Sequence, residues 1–389
     1  MMSQKWSLKI TPMRIGLFIL VAIGALSGLL RIATGLGATT NLNDQWPWGL
    51  WIGLDLTMVA LAGAGYSMCL MAHVLHIDKF KIYARRGLLI SFLAYILVLV
   101  TLFLEIGRWD NALSPIINWG HESPLFEVVI AIMIYMAVQT VEILEIITEK
   151  IFKSWNKSLK AIMPIVVIIG SLIPFGHQAS LGALYLLMLG KLHGLWWSTM
   201  IPWLFLLSSF FAGPAVIALD TIWSSKKYNH SIDLKSLQSL MRVSGYLMGG
   251  YLLIKIYDLI RYDGFSLLFA GSFESFMFIL EMVIGIIIPI VLCFSTKNMT
   301  LSKIKMFSVL TVAGIALNRF NVVITGMYKS LGTGYIPSII EWTTTIGIFS
   351  GVILAYMFIV ENFNIYKHSE NDIKVNGNYS KGNLKTTEI

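Results

Sequence analysis

Asp55 sits at the end of the stretch LNDQWPWGLWIGLD (42–55), inside an otherwise apolar run. At 1.5 Å per residue it lies about 10 Å along a helix from Trp48. Trp48, Trp51 and Asp55 recur at i, i+3 and i+7, a spacing that predicts a shared helix face. A carboxylate at that depth is costly unless it is paired or meets water, which makes it a candidate for proton chemistry. Nine of the 21 acids share this character: Asp55, Glu105, Glu127, Glu142, Glu145, Asp258, Glu274, Glu281 and Glu341. Carboxylates at several depths suit a proton relay, and Glu105, Glu127, Glu142, Asp258 and Glu281 are its candidates. Internal neutralisation is the other reading. Arg31, Lys255 and Arg319 also fall in apolar runs, and Lys255 and Asp258 stand three apart on one helix.

His177 and Gln178 follow Pro174, which predicts a polar connection (FGHQASLG, 175–182) at the membrane surface. A histidine, with an ordinary pKa of about 6.5, suits proton exchange with a reducible ligand. Gln178 and Ser180 add hydrogen bonds; a structural loop histidine is the plainer alternative. Tryptophans Trp46, Trp48, Trp51, Trp196 and Trp197 each fit the headgroup belt of a membrane as well as a binding site.

The elements that position these residues follow from composition. Of 389 residues, 56% are hydrophobic and 13% charged, against about 25% charged in a soluble domain. That excludes a globular cytoplasmic enzyme, a disordered chain and a nucleic-acid binder. Continuous apolar runs of about 20 residues predict membrane-spanning helices rather than barrel strands. Ten are read, near 14–36, 48–75, 86–106, 124–148, 160–177, 196–219, 239–260, 271–294, 304–325 and 339–361. The chain therefore reads as an all-α integral membrane protein: a short N-terminus (1–13), a polytopic domain (14–361) and a polar tail (362–389). Of 29 Lys and Arg, 22 fall in the termini and the even-numbered loops, four in the odd-numbered loops and three within spans. The positive-inside rule then places both termini in the cytoplasm.

Cys69 and Cys293 both lie in apolar runs, with no CxxC or CxxCH, so neither an iron–sulfur cluster nor a covalent haem is expected. A membrane haem needs paired histidines at matching depth. The seven histidines (73, 76, 121, 177, 193, 230 and 368) offer no such pair, and no metal site is expected.

Three motifs, in order, resemble the NrfD/polysulfide-reductase membrane-subunit family, in particular its HybB-type branch. They are NDQWPWGLWIGLD, the histidine–glutamine segment running from FGHQASLG into the sixth helix (175–209), and ALNRFNVVITG (316–326). The resemblance spans about residues 12–360. It implies two four-helix bundles, helices two to five (about 48–177) and six to nine (about 196–325), with a flanking helix at each end. It further implies a quinone-reacting subunit of a multi-subunit oxidoreductase, inactive as an isolated chain. The ligand would be menaquinone or ubiquinone, with no haem or iron–sulfur cluster in this chain.

Carried over residue by residue, the quinone headgroup is expected near Trp48, Trp51, Asp55, Arg108, His177 and Gln178. His177 or Asp55 would exchange the proton, and Arg108 would hold a carboxylate or a quinone oxygen. Asn318, Arg319 and Asn321 match the third motif, either lining the site or bracing the helices. The partners implied are an extracytoplasmic ferredoxin-like iron–sulfur subunit and a hydrogenase or other terminal oxidoreductase, in a bacterial or archaeal cytoplasmic membrane. Hydrogenase-linked quinone reduction is the expected direction. A quinol-oxidising subunit for polysulfide, tetrathionate, nitrite or cytochrome c is the alternative within the family. A secondary transporter is the rival outside it, since ten helices with buried acids and GxxxG spacing (Gly245, Gly249) fit that class too.

Overall fold

The computed structural model describes residues 9–120, 122–332 and 334–366; the expectations for the first eight residues and for the tail beyond Tyr366 lie outside them. The described residues are helical, with no strand among them. Ten long helices follow one another: α1 (Pro12–Thr34), α2 (Leu50–Val74), α3 (Asp78–Glu105), α4 (Pro124–Thr148), α5 (Lys153–Met188), α6 (Ile201–Tyr228), α7 (Leu234–Arg261), α8 (Phe273–Phe294), α9 (Leu301–Leu331) and α10 (Ile339–Asn362). Nine of them are long and apolar enough to cross a membrane. The other, α7, has 28 residues and carries Lys235, Arg242, Lys255, Asp258 and Arg261.

Local chemistry starts these helices where the sequence offers a cap. Thr11, Ser123, Asp233, Ser272, Thr300 and Ser338 each accept a hydrogen bond from a free backbone N–H of the first turn. Ser338 and Glu341 complete a capping box on α10. Helix α2 has no such residue. Its Leu50 N–H donates instead to the Tyr335 hydroxyl, 285 positions away in sequence, at 3.1 Å.

Helices α2 to α5 pack around one another as a first bundle, and α6 to α9 as a second. The bundles meet where α2 presses on α6: a Cβ added to Gly63 would stand 2.2 Å from the Ser209 carbonyl oxygen, so only glycine permits this approach. Helices α1 and α10 pair on the outside through Gly24 and Gly347. Helix α1 buries little beyond Gly24, Gly28 and Arg31 and turns large apolar side chains outward, as a lipid-facing helix does. At one end of the molecule Arg14 of α1 pairs with Glu361 of α10 at 2.6 Å. This end also holds Arg85, Arg86, Lys150 and Lys160 and is called the basic face below; Trp46, Trp48, Trp196 and Trp197 lie towards the opposite, tryptophan-rich face. The chain does not leave the fold at Asn362: Ile365 and Tyr366 are buried against the basic end.

Candidate functional site

Trp51 and Asp55 sit one turn apart on α2 and are both buried. They face different neighbours. The Trp51 indole N–H donates to Thr345 Oγ1 of α10 at 3.1 Å, whereas Asp55 Oδ1 accepts from the Thr101 hydroxyl of α3. Trp48 does not share their face, because the helix begins only at Leu50; it packs edge-on against Tyr185, with centroids 5.9 Å apart. Glu105, at the end of α3, has Arg31 and Glu341 as charged neighbours, and neither of its oxygens makes a full hydrogen bond. Glu341 is saturated by Tyr335 Oη, Ser338 N and Asn41 N. Arg108 lies apart from this group. It is exposed in the connection after α3, where its guanidinium binds Asp110 at 2.7 Å and holds that carboxyl below the usual range.

His177 and Gln178 are not in a surface connection. Helix α5 runs through Pro164 and Pro174 and carries both residues inside the first bundle, 0% and 1% exposed. A proline removes one backbone donor and bends a helix, but packing on both sides lets the helix continue. Gln178 Nε2 donates to the Val59 carbonyl at 2.8 Å. The His177 ring lies 5.8 Å from Tyr95, which in turn packs edge-on against Tyr135 at 4.8 Å. Tyr135 Oη is 3.3 Å from Ser91 Oγ, and Ser91 accepts from Gln139 Nε2 at 2.6 Å.

The hydrogen-bond account of this region does not close. Both His177 nitrogens, Tyr95 Oη, Tyr66 Oη, Asp55 Oδ2 and Gln139 Oε1 are buried without a full partner, although the Val128 backbone lies close enough to His177 to act on it. Buried polar atoms are nearly always satisfied, so a group of unmet ones lined by aromatic rings marks a place built for something polar to enter. A neutral histidine offers one donor and one acceptor, and a tyrosine hydroxyl can do either. Donors and acceptors for a polar group are therefore present beside His177 and Tyr95.

The second bundle holds as much charge but spends it internally. Glu281 accepts from the Trp196 indole at 2.8 Å, Asn318 Nδ2 at 2.7 Å and Asn321 Nδ2 at 2.8 Å. Arg319 donates to Ser208 Oγ at 2.6 Å and to Asn318 Oδ1, with its guanidinium 3.6 Å from the Phe205 centroid. The motif residues thus brace α6, α8 and α9. Lys255 and Asp258 do not neutralise each other as an ion pair: Asp258 accepts from Ser198 Oγ at 2.6 Å, and the Lys255 ammonium lies 5.5 Å from the Phe278 ring. Of the other acids, Glu127 is exposed and accepts from Ser180 Oγ at 2.8 Å, and Glu142 lines a cavity that opens on the basic face. At the rim of that face burial works against ionised Glu149, but its bonds to Arg85 outweigh this and hold it down at about 2.

Sequence reasoning passed over several buried groups. Tyr66, Tyr95 and Tyr135 were counted as apolar, although Tyr135, Gln139 and Glu142 at i, i+4 and i+7 on α4 form a readable polar face. Asp220, just beyond the expected sixth span (196–219), is half-buried near the basic end of α6, accepting from Tyr356 Oη, which bonds Tyr366 Oη at 2.8 Å. Among the described residues no group of three or more metal-ligating side chains converges.

Residues 38–329 match the family described as "Polysulphide reductase, NrfD". The chain belongs to the NrfD family. A protein of Nitratidesulfovibrio vulgaris (Hildenborough) is 30% identical over 375 residues, covering 92% of this chain and 96% of the relative. The probable Ni/Fe-hydrogenase 2 b-type cytochrome subunit of Escherichia coli K12 is 28% identical over 352 residues, 88% of this chain and 89% of the relative. The integral membrane subunit of the N. vulgaris menaquinone reductase is 26% identical over 372 residues, 88% and 87%. This NrfD family member is thus a multi-pass membrane protein whose relatives include membrane subunits of redox complexes.

Proposed function

We propose that the protein is the quinone-reacting membrane subunit of a respiratory oxidoreductase, receiving electrons at its tryptophan-rich face from an iron–sulfur subunit and passing them to a membrane quinone. The observation that carries this reading is the unmet polar group of the first bundle: both His177 nitrogens, Tyr95 Oη and Asp55 Oδ2 are buried without a full partner, and the His177 ring lies beside Tyr95, which packs on Tyr135. A quinone is planar, apolar and bounded by two carbonyl oxygens, and its reduction consumes two protons. His177 and Tyr95 would donate to a carbonyl, Asp55 would hold or supply a proton, and Gln178 would fix the helix segment beside them. Glu105 and Arg31 form the charged rim next to Asp55.

The names of the E. coli and N. vulgaris relatives, a hydrogenase subunit and a menaquinone reductase subunit, favour quinone reduction, with menaquinone as substrate and a bacterial or archaeal inner membrane as location. The word cytochrome in one of them is not carried over. His177 is the one described histidine inside the helical core, while His73, His76, His193 and His230 lie at helix ends or in connections. Two facing ligands, as a membrane haem requires, are therefore not offered by the described residues.

The test uses the assembled complex with its partner subunits. His177→Ala and Asp55→Asn should each abolish or cripple electron transfer to quinone while activity with a water-soluble dye, which accepts electrons at the partner, persists. Normal quinone-linked activity in both variants would overturn the assignment.

A further inference from the structure

Helices α1 and α10 are held together at two levels. Near their middle Gly24 meets Gly347 so closely that a Cβ on either would stand 2.5 Å from the other's Cα. At the basic face Arg14 pairs with Glu361 at 2.6 Å. From Arg14 to Gly24 is about 15 Å of helix, the depth of one leaflet of a hydrocarbon core about 30 Å thick. Between these anchors the two helices leave a groove of about 690 Å³, walled by Phe18 and Ile19 of α1 and Leu354 and Phe358 of α10. Phe18 and Ile19 are 62% and 55% exposed, so the groove is not closed by its own side chains. The residues of α1 that the protein buries, Gly24, Gly28 and Arg31, all lie in its other half.

The groove is apolar along its length and basic at one end, where Lys9 and Arg14 line it. Charge there is unbalanced. Glu361 is turned inward, its side chain 7% exposed, and Arg14 covers one of its oxygens. Lys227 of α6 has both members of this pair as charged neighbours, so three cations, Lys9, Arg14 and Lys227, stand against one carboxylate. Arg14 also donates to the Lys9 carbonyl at 2.7 Å, which fixes the backbone carrying the lysine. The Lys9 side chain is exposed, and its ammonium has no partner among the described residues.

What covers the groove must then be apolar along about 15 Å and negative at one end. A second copy of the chain would bring its own Lys9 and Arg14 to a two-fold contact, like charge against like. Residues 1–8 (MMSQKWSL) contain Lys5 and no acid, so they would add to the excess. A zwitterionic lipid would set its own ammonium against Lys9. An anionic phospholipid has the right length and the right sign, and basic pockets between membrane helices bind such headgroups.

We propose that this groove seats one anionic phospholipid, an acyl chain along Phe18, Ile19, Leu354 and Phe358 and the phosphate against the Lys9 ammonium. The lipid fills the space between the two anchors and fastens the basic-face half of α1 to α10. It is a structural ligand of the fold, and the inference does not depend on the quinone assignment.

The test takes the intact complex, stripped of lipid in a neutral detergent. Phosphatidylglycerol or phosphatidylcholine with the same acyl chains is titrated in, and the thermal midpoint is read. Phosphatidylglycerol should raise the midpoint at a concentration about tenfold lower than phosphatidylcholine. Lys9→Gln should weaken the phosphatidylglycerol response about fivefold, the scale of one basic residue at an anionic surface. Lys9→Glu should remove the preference and Lys9→Arg should keep it. Leu354→Trp fills the groove and should remove the phosphatidylglycerol response. Equal responses to the two lipids, or a wild-type preference in Lys9→Glu, overturns the proposal. So does an equal rise with inorganic phosphate alone, which would mean an anion site without a lipid. If Leu354→Trp changes the oligomeric state and leaves the lipid response intact, a second copy occupies the groove and the proposal falls. Lys9 is exposed, so Lys9→Glu decides the question if Leu354→Trp does not assemble.

Discussion

The two bundles are alike in construction and opposite in how they treat buried polarity. The second contains Glu281, Arg319, Lys255 and Asp258, all buried; Glu281 is met by Trp196, Asn318 and Asn321 and Arg319 by Ser208 and Asn318, while Asp258 takes Ser198 on one oxygen and keeps Oδ1 unmet, as Arg319 does its Nε. The first buries as many formal charges, Asp55, Arg86, Glu142 and Glu145, and leaves His177, Tyr95, Tyr66, Asp55 and Gln139 with atoms unmet. Buried charge alone therefore does not locate a site. A saturated network rigidifies and specifies packing, and an unsaturated one is held open at an energetic cost that calls for a use.

His177→Ala bears hardest on that contrast. Quinone-linked turnover should fall about 100-fold or more, the range lost with a proton-transfer group, with persisting dye-linked activity of the same complex reporting that it has assembled. Glu281→Ala should do the reverse. It strands three donors beside Arg319 and Lys255, so a destabilisation of about 3–5 kcal/mol is expected, read as a fall in thermal midpoint, with turnover per assembled complex preserved. A stable but inactive Glu281→Ala would erase the difference between the bundles. Asp55→Asn should lower turnover about tenfold, the scale of one charge-assisted hydrogen bond, and a normal rate would narrow the site to His177 and Tyr95. Trp51→Phe removes one bond to Thr345 and should cost about 1 kcal/mol of stability, with little change in rate.

The smallest effect concerns the rim. Glu149 is held below its unfolded value by Arg85, so its stabilising contribution is present above the ordinary carboxylate range and lost as pH falls towards about 2. Arg85→Ala should flatten the acid limb of a thermal-midpoint profile; an unchanged limb would show that other carboxylates dominate it.

Much of the fold was legible because the apolar runs are long and their caps are local. Helix α4 begins at Pro124 and ends at Thr148, the bounds read from the sequence, since Ser123 and Pro124 together mark a helix start. The site was legible in residue type but not in placement. Pro174 was read as a stop, yet α5 continues for three more turns because neighbouring helices hold it, which turns a supposed surface histidine into a core one. The periodicity that grouped Trp48 with Asp55 failed because Gly49 sits outside the helix. Contacts such as Tyr335 to Leu50 join residues 285 apart, and no local pattern encodes them. Tyrosines were hardest to value, since the ring counts as apolar while the hydroxyl does the chemistry.

The ion pair between Arg14 and Glu361 carries a further consequence, one of counting. It ties the first turn of α1 to the last turn of α10 on one face, so the described stretch from α1 to α10 must traverse a bilayer an even number of times. Nine crossings are thereby forbidden, and α7, the helix too polar to pass a hydropathy criterion, supplies the missing traverse. Its mid-helix charges, Lys255 and Asp258, are buried among the neighbouring helices, while Lys235 and Arg261 are exposed near its two ends, and reporter domains fused to either end of the described chain should report the same compartment.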